Sequence, residues 1–166
     1  PELGKKVMQA ASKHLTPVVL ELGGKSPCIV DKDADVEMAA RRIAWGKTLN
    51  SGQTCIAPDY LLIHQSQKEK FISAYKKALT CLHGDDIEKS QHFVRMVNDR
   101  AFERVSSYLT NGDIVVGGKT NAAERYIEPT LLDNVSIDAP IMQEEIFGPI
   151  LPMIIFESEE EMLSFV

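Results

Sequence analysis

Residues 50–58 read Asn50-Ser51-Gly52-Gln53-Thr54-Cys55-Ile56-Ala57-Pro58. A helical apolar pattern runs into this stretch and an extended apolar run leaves it. Helix, small polar loop, then strand is the repeating unit of an α/β fold. Gly52 allows backbone angles that a side chain would forbid, or a close approach by a ligand. Pro58 ends the turn and favours extended backbone just before it. One thiol, Cys55, stands among these turn-forming residues. A thiol on a loop that joins elements is a candidate nucleophile. A buried, inert cysteine is the alternative on these residues alone.

Outward from this loop the pattern alternates. Upstream, Val36, Ala39, Ala40, Ile43 and Ala44 share one helical face, with Asp33 or Asp35 placed to cap it. Before that, Cys28-Ile29-Val30 reads as a short strand. Val18-Val19-Leu20 reads as a buried strand ending at Glu21. Leu3, Val7, Ala10 and Ala11 have helical spacing, which Thr16-Pro17 breaks. Downstream, Tyr60 to Ile63 reads as a strand. A helix from about Ser66 to Leu82 follows, with Phe71, Tyr75, Leu79 and Leu82 as its inner stripe. Asn98 caps a helix with Phe102, Val105 and Leu109 inward, closed at Asn111-Gly112. Ile114–Val116 and Tyr126–Leu132 read as two strands joined through Gly117-Gly118. Ile150 to Phe156 is a strongly apolar strand. Ser158 and Glu161 form a capping box for a last helix. The order predicts a three-layer α/β/α sandwich with a mostly parallel sheet.

Composition narrows the function classes. The chain has 166 residues, 44% hydrophobic and 25% charged, ordinary for a globular domain with a core. The formal net charge of −6 disfavours nucleic acid as a partner. Cys28, Cys55 and Cys81 are far apart and odd in number, which predicts a reducing, cytoplasmic setting instead of a disulfide framework. No apolar run approaches the ~18 residues of a spanning helix. Without an initial Met, and ending at Phe165-Val166 inside a helical pattern, the chain reads as an excised fragment.

Two further motifs could carry chemistry. Leu20-Glu21-Leu22-Gly23-Gly24-Lys25 sets a carboxylate before two glycines. Burial there would raise its pKa toward that of a useful general base. Gln143-Glu144-Glu145-Ile146-Phe147-Gly148-Pro149 pairs two carboxylates with a ring fixed at a turn. Only one of two adjacent carboxylates can point into a site from extended backbone. A thiol needs a base, a cation or a helix N-terminus to become a thiolate, and Lys25 and Lys47 are candidate cations. Other patterns fail. Asp31, Asp33 and Asp35 mimic a calcium loop, but Val36 and Arg42 replace its required Gly and Glu. The four histidines have no zinc spacing, and neither a GxGxxG run nor a Walker lysine is present.

Together the three motifs resemble the aldehyde dehydrogenase superfamily. The matching runs are Leu20-Glu21-Leu22-Gly23-Gly24-Lys25-Ser26-Pro27, Gly52-Gln53-Thr54-Cys55 and Glu144-Glu145-Ile146-Phe147-Gly148-Pro149. Cys55-Ile56-Ala57-Pro58-Asp59-Tyr60, with His14-Leu15-Thr16-Pro17, is most similar to the class 3 and fatty aldehyde dehydrogenase branch. The resemblance implies oxidation of an aldehyde to an acid with NAD or NADP. Cys55 would attack the carbonyl, and Glu21 would activate the water that hydrolyses the thioester. Glu145 and Phe147 would meet the nicotinamide ribose and ring, with Leu22 and Gly23 supplying nearby backbone. Gly4 would end the phosphate-binding segment. Residues 1–15 would be the tail of the cofactor-binding domain, and 16–166 an incomplete catalytic domain. The oxyanion-stabilising Asn of the family would lie outside this chain, so the fragment alone is expected to be inactive. Further implications are a medium- or long-chain or aromatic aldehyde as substrate, no metal, and a homodimer for the full-length protein. The rivals are a cysteine-dependent acyl-transfer enzyme or hydrolase, and a non-catalytic domain that kept the fold.

Overall fold

The computed structural model describes residues 2–166. Pro1, the first residue of the expected cofactor-domain tail, lies outside them. Six α-helices and seven β-strands are assigned in this range. They are α1 (Glu2–Ser12), β1 (Pro27–Val30), α2 (Val36–Thr48), β2 (Tyr60–His64), α3 (Lys68–His83), α4 (Asp99–Ser107), β3 (Asp113–Val116), β4 (Thr120–Asn121), β5 (Tyr126–Ile127), β6 (Thr130–Asp133), α5 (Pro140–Gln143), β7 (Ile150–Phe156) and α6 (Glu159–Phe165).

Local chemistry sets many of these limits. The Asp35 carboxylate accepts from the Met38 N–H and starts α2. Asn98 does the same for α4 through the Ala101 N–H. The predicted capping box forms with a shift: the Glu161 N–H donates to Ser158 Oγ, but the Glu161 carboxylate accepts from Glu157. Pro129 divides the expected 126–132 strand in two. It has no N–H for a ladder, so β5 pairs with β4 and β6 joins the main sheet.

The main sheet has the order β1-β2-β7-β6-β3. Its first four strands run parallel, and β3 is antiparallel to β6. The sheet is covered on both faces. On one, α2 and α3 bury Val36, Ile43, Phe71 and Tyr75 against Leu61, Ile63, Leu151 and Met153. On the other, α4 and α5 bury Phe102, Val105 and Ile141 with Leu132 and Ile150. Alternate strand residues therefore serve alternate layers, as the pleat requires. Buried parallel strands read as continuous apolar runs, which is why Ile150–Phe156 shows no alternation.

Two further expectations are corrected. Val18-Val19-Leu20 forms no strand: residues 16–26 are irregular, and Val19 is 91% exposed. An apolar triplet gives strand propensity, but it found no neighbouring strand to pair with. Leu82 lies outside the α3 core stripe and is exposed, because Ala78 takes the inward position beside Leu79.

Candidate active site

All three chemical motifs lie on segments that lead into parallel strands. Residues 21–26 precede β1, 53–59 precede β2, and 144–149 precede β7. These strands are neighbours, with Pro27 paired to Tyr60 and Leu61 to Met153. The three segments therefore share one end of the sheet. It is the amino end of the strands, whereas ligand crevices of open α/β sheets usually lie at the carboxyl end.

Asp59 ties the segments together. Its N–H donates to the Ser26 carbonyl at 2.9 Å. One carboxylate oxygen accepts the Ile146 N–H at 2.8 Å, and the other accepts Lys25 Nζ. Lys25 Nζ also donates to the carbonyls of Ile141 at 3.0 Å and Glu144 at 3.1 Å. Asp59 is almost wholly buried, so its charge requires this full set of partners. Arg104 holds the same loop from α4, donating to the carbonyls of Glu145 and Ile146. Tyr108 donates to the Glu144 carboxylate. The two adjacent carboxylates thus part: Glu144 faces Arg104 and Tyr108, and Glu145 faces the first motif.

The Glu145 carboxylate lies so close to Gly23 that a Cβ there would overlap it. The contact places the end of the Glu145 side chain against the Gly23 backbone. A second close approach joins the other two motifs. Gly52 has φ +69, and a Cβ on it would strike the Gly148 carbonyl and lie 3.0 Å from the Lys47 carbonyl. Both reasons for glycine that the sequence allowed, backbone angle and close approach, apply here.

The approach to Cys55 is strained and heavily braced. Asn50, Ser51 and Gly52 are three consecutive residues with positive φ. Such backbone persists where the surroundings over-determine it. Gln53 supplies much of that bracing. Its amide donates to the carbonyls of Asn50 and Arg95 and accepts the Val97 N–H. Asn50 returns a bond to the Gln53 carbonyl, and Ser51 Oγ donates to Val94. The sequence marked Gln53 as part of a motif; its work as a brace appears only in the fold. Beyond it, Cys55 is exposed in a turn closed by the Ala57 N–H on the Thr54 carbonyl. Phe147, itself at φ 49, shares a depression of about 440 Å³ with Asn50, Gln53, Val94, Arg95 and Val97. A larger groove of about 950 Å³ lies between α2 and α3, and no motif residue lines it.

The remaining predicted residues are placed as follows. Glu21 and Leu22 are exposed in the irregular segment, and Glu21 makes no hydrogen bond among the described residues. No hydrogen bond joins it to Cys55, although both precede adjacent strands at one sheet end. Gly4 is buried in α1, facing the Leu20 and Leu22 side chains. Neither candidate cation bonds the thiol. Lys25 is committed to Asp59 and two carbonyls, and Lys47 is buried with Asp59, Lys25 and Glu145 as its charged surroundings. Burial pushes the Lys47 ammonium down to about 8, partly opposed by Asp59. Asp59 and Arg104 were missed as site-building residues. For Asp59 the available signal was an acidic residue directly before an apolar strand; Arg104 gave none.

The chain can now be set beside known proteins. A profile described as "Aldehyde dehydrogenase family" matches residues 1–166. Rat "Aldehyde dehydrogenase, dimeric NADP-preferring" is 51% identical over 164 residues, 99% of this chain and 36% of that protein. "4,4'-diaponeurosporen-aldehyde dehydrogenase" of Staphylococcus aureus is 50% identical over 166 residues, again 36% of its length. Among solved structures, "Substrate bound state of Staphylococcus Aureus AldH" superposes with a TM-score of 0.94 at 49% identity, covering 99% of this chain and 36% of that one. An indole-3-acetaldehyde dehydrogenase of P. syringae, in complex with NAD+, gives 0.84 at 32% identity, covering 98% and 35%. The chain thus spans about a third of the length of these relatives. With a family match over its full length and three motif segments gathered at one sheet end, the chain belongs to the aldehyde dehydrogenase family.

Proposed function

We propose that this chain supplies the thiol and carboxylates of an enzyme that oxidises aldehydes to carboxylic acids with NAD or NADP. The observation that carries the proposal is the packing of Gly23 on Glu145 and of Gly52 on Gly148, which brings the three motifs to one place.

Cys55 is the nucleophile. Sulfur attacks the aldehyde carbonyl to give a thiohemiacetal, and loss of a hydride leaves a thioester. Glu21, exposed and free of competing hydrogen bonds among the described residues, takes the proton of the hydrolytic water. The Cys55 backbone N–H is one donor for the oxyanion. The nicotinamide cofactor supplies the hydride acceptor. The site fits such a group in two respects: Glu145 has a buried carboxylate oxygen without a protein partner, and the bare Gly23 backbone beside it leaves room for close approach. Glu145 would hold ribose hydroxyls, Phe147 would flank the ring, and Leu22 and Gly23 would offer backbone groups. Gly4 would keep α1 close beneath Leu22. We assign residues 1–15 to the cofactor-domain side and 16–166 to the catalytic domain. The finer reading, a medium- or long-chain or aromatic aldehyde handled by a homodimer, draws on the resemblance and on the word "dimeric" in the rat relative's name.

Acyl trapping tests this. An activated ester should acylate Cys55 in preference to Cys28 and Cys81, read by peptide mass. Glu21→Gln should leave acylation intact and slow deacylation about 10²-fold or more. Equal labelling of all three cysteines, or deacylation unchanged in Glu21→Gln, would overturn the assignment. NAD(P)H formation from an aldehyde, in a full-length enzyme carrying this segment, completes the test.

A further inference from the structure

Neighbouring residues leave open which of the adjacent carboxylates, Glu144 or Glu145, faces a site. In the fold the choice is made from outside the motif, by α4. Arg104, in the last turn of that helix, presents its two terminal nitrogens to consecutive carbonyls. One donates to the Glu145 carbonyl at 3.3 Å and the other to the Ile146 carbonyl at 2.8 Å. The first also meets the Tyr108 hydroxyl at 3.0 Å and the Glu144 carboxylate at 3.5 Å. Tyr108 donates to that same Glu144 oxygen. Glu144 has extended backbone, so its side chain and that of Glu145 leave on opposite faces. With Glu144 drawn to Arg104 and Tyr108, the Glu145 carboxylate is sent toward Gly23.

The same clasp bears on the ring. Asp59 accepts the Ile146 N–H at 2.8 Å, so Ile146 is gripped at both its N–H and its carbonyl. Past it, a Cβ on Gly148 would lie 2.6 Å from Val105 Cγ1, one residue along α4 from Arg104. Phe147 lies between these contacts at φ 49, a conformation that costs energy unless neighbours enforce it. A planar fork suits two successive carbonyls, whereas an ammonium is a point charge.

We infer that Arg104 is the positioning residue of this turn: from α4 it aims the Glu145 carboxylate at Gly23 and holds Phe147 in its left-handed backbone. It acts through the backbone carbonyls of the turn. That this geometry serves a nicotinamide cofactor rests on the function proposed above.

The test reads the turn and the cofactor separately, in a full-length enzyme carrying this segment. A fluorinated phenylalanine is placed at position 147 and, in a second sample, at position 71, in the layer on the other sheet face. Arg104→Met should shift or broaden the 19F signal at 147 and leave that at 71 unchanged. Arg104→Lys keeps the charge and loses the fork, so it should also move the 147 signal, and it serves where the Met variant does not fold. An unchanged signal at 147 in a folded variant would overturn the inference. Equal disturbance at 71 would mark a role in general stability and also overturn it. KM for NAD(P) should rise about tenfold in Arg104→Met while kcat falls less than about threefold. In the Glu145→Gln background the rise should be about threefold or less, and equal rises would overturn the aiming of Glu145. If the 147 signal moves and KM for NAD(P) holds, Arg104 still positions the turn and the cofactor reading of Glu145 and Phe147 fails.

Discussion

The Cys55 loop and the Glu21 segment carry equally sharp sequence motifs, yet the fold treats them in opposite ways. Residues 50–59 are held by buried side chains: Ser51, Gln53 and Asp59 each bond groups distant in the chain. Residues 16–26 are irregular, and beyond Lys25 and the Ser26 carbonyl they have few anchors. The proposed nucleophile thus sits on a braced platform, while the proposed base sits on a segment tied down only at its far end. A motif's clarity reports which chemistry is present. Where the polar anchors point decides how firmly that chemistry is held.

The contrast can be broken most sharply at Asp59. Asp59→Ala removes the shared acceptor and leaves the Lys25 charge and the Ile146 N–H unpaired. Chemical denaturation should show a loss of about 3–5 kcal/mol. A loss under about 1 kcal/mol would mean that the loops are held by something else.

The next effect is on pH dependence. The Lys47 pKa is depressed in the fold, from 10.5 to about 8. Between these values the unfolded chain binds the proton and the folded chain does not. Lys47 therefore makes stability rise with pH in this window, by about 1.4 kcal/mol per pH unit. Below pH 8 that gain is absent. Stability curves of the parent chain and Lys47→Met should converge as pH rises from 8 toward 10.5, and parallel curves would refute the assignment.

Gly52→Ala comes next, at about 2–3 kcal/mol. It combines a left-handed backbone with overlap on the Gly148 carbonyl. Gln53→Ala should lose about 1–3 kcal/mol, because the Val97 N–H and the Arg95 carbonyl lose their partner. Its effect on acylation of Cys55 should exceed that of Ser158→Ala, which removes the cap of α6. The smallest change belongs to the other region. Glu21→Gln should alter stability by no more than about 0.5 kcal/mol while slowing deacylation. A large stability change there would erase the distinction between the two regions.

Legibility in the sequence follows the same division. The helix starts at Asp35 and Asn98 were readable because a cap is a local bond three residues long. Strands β2 and β7 were readable because buried parallel strands are continuous apolar runs. Val18-Val19-Leu20 misled because a strand needs a partner, which three residues cannot reveal. Pro129 was visible, but its splitting of one apolar run between two sheets depends on which edges are free. The Gly23–Glu145 and Gly52–Gly148 contacts span 122 and 96 residues of chain, beyond any local pattern.

By itself the sequence determined the chemical inventory and the alternation of elements: one thiol loop, a carboxylate before two glycines, a paired-carboxylate turn, and an α/β layering. Those follow from residue type and from periods of two and 3.6, which are properties of neighbours. Only the tertiary structure decided that the three motifs meet at the amino end of the strands, that Asp59 binds them together, and that Lys47 is enclosed among charges. Burial and long-range hydrogen bonds are properties of a filled volume, and no single stretch of chain specifies them.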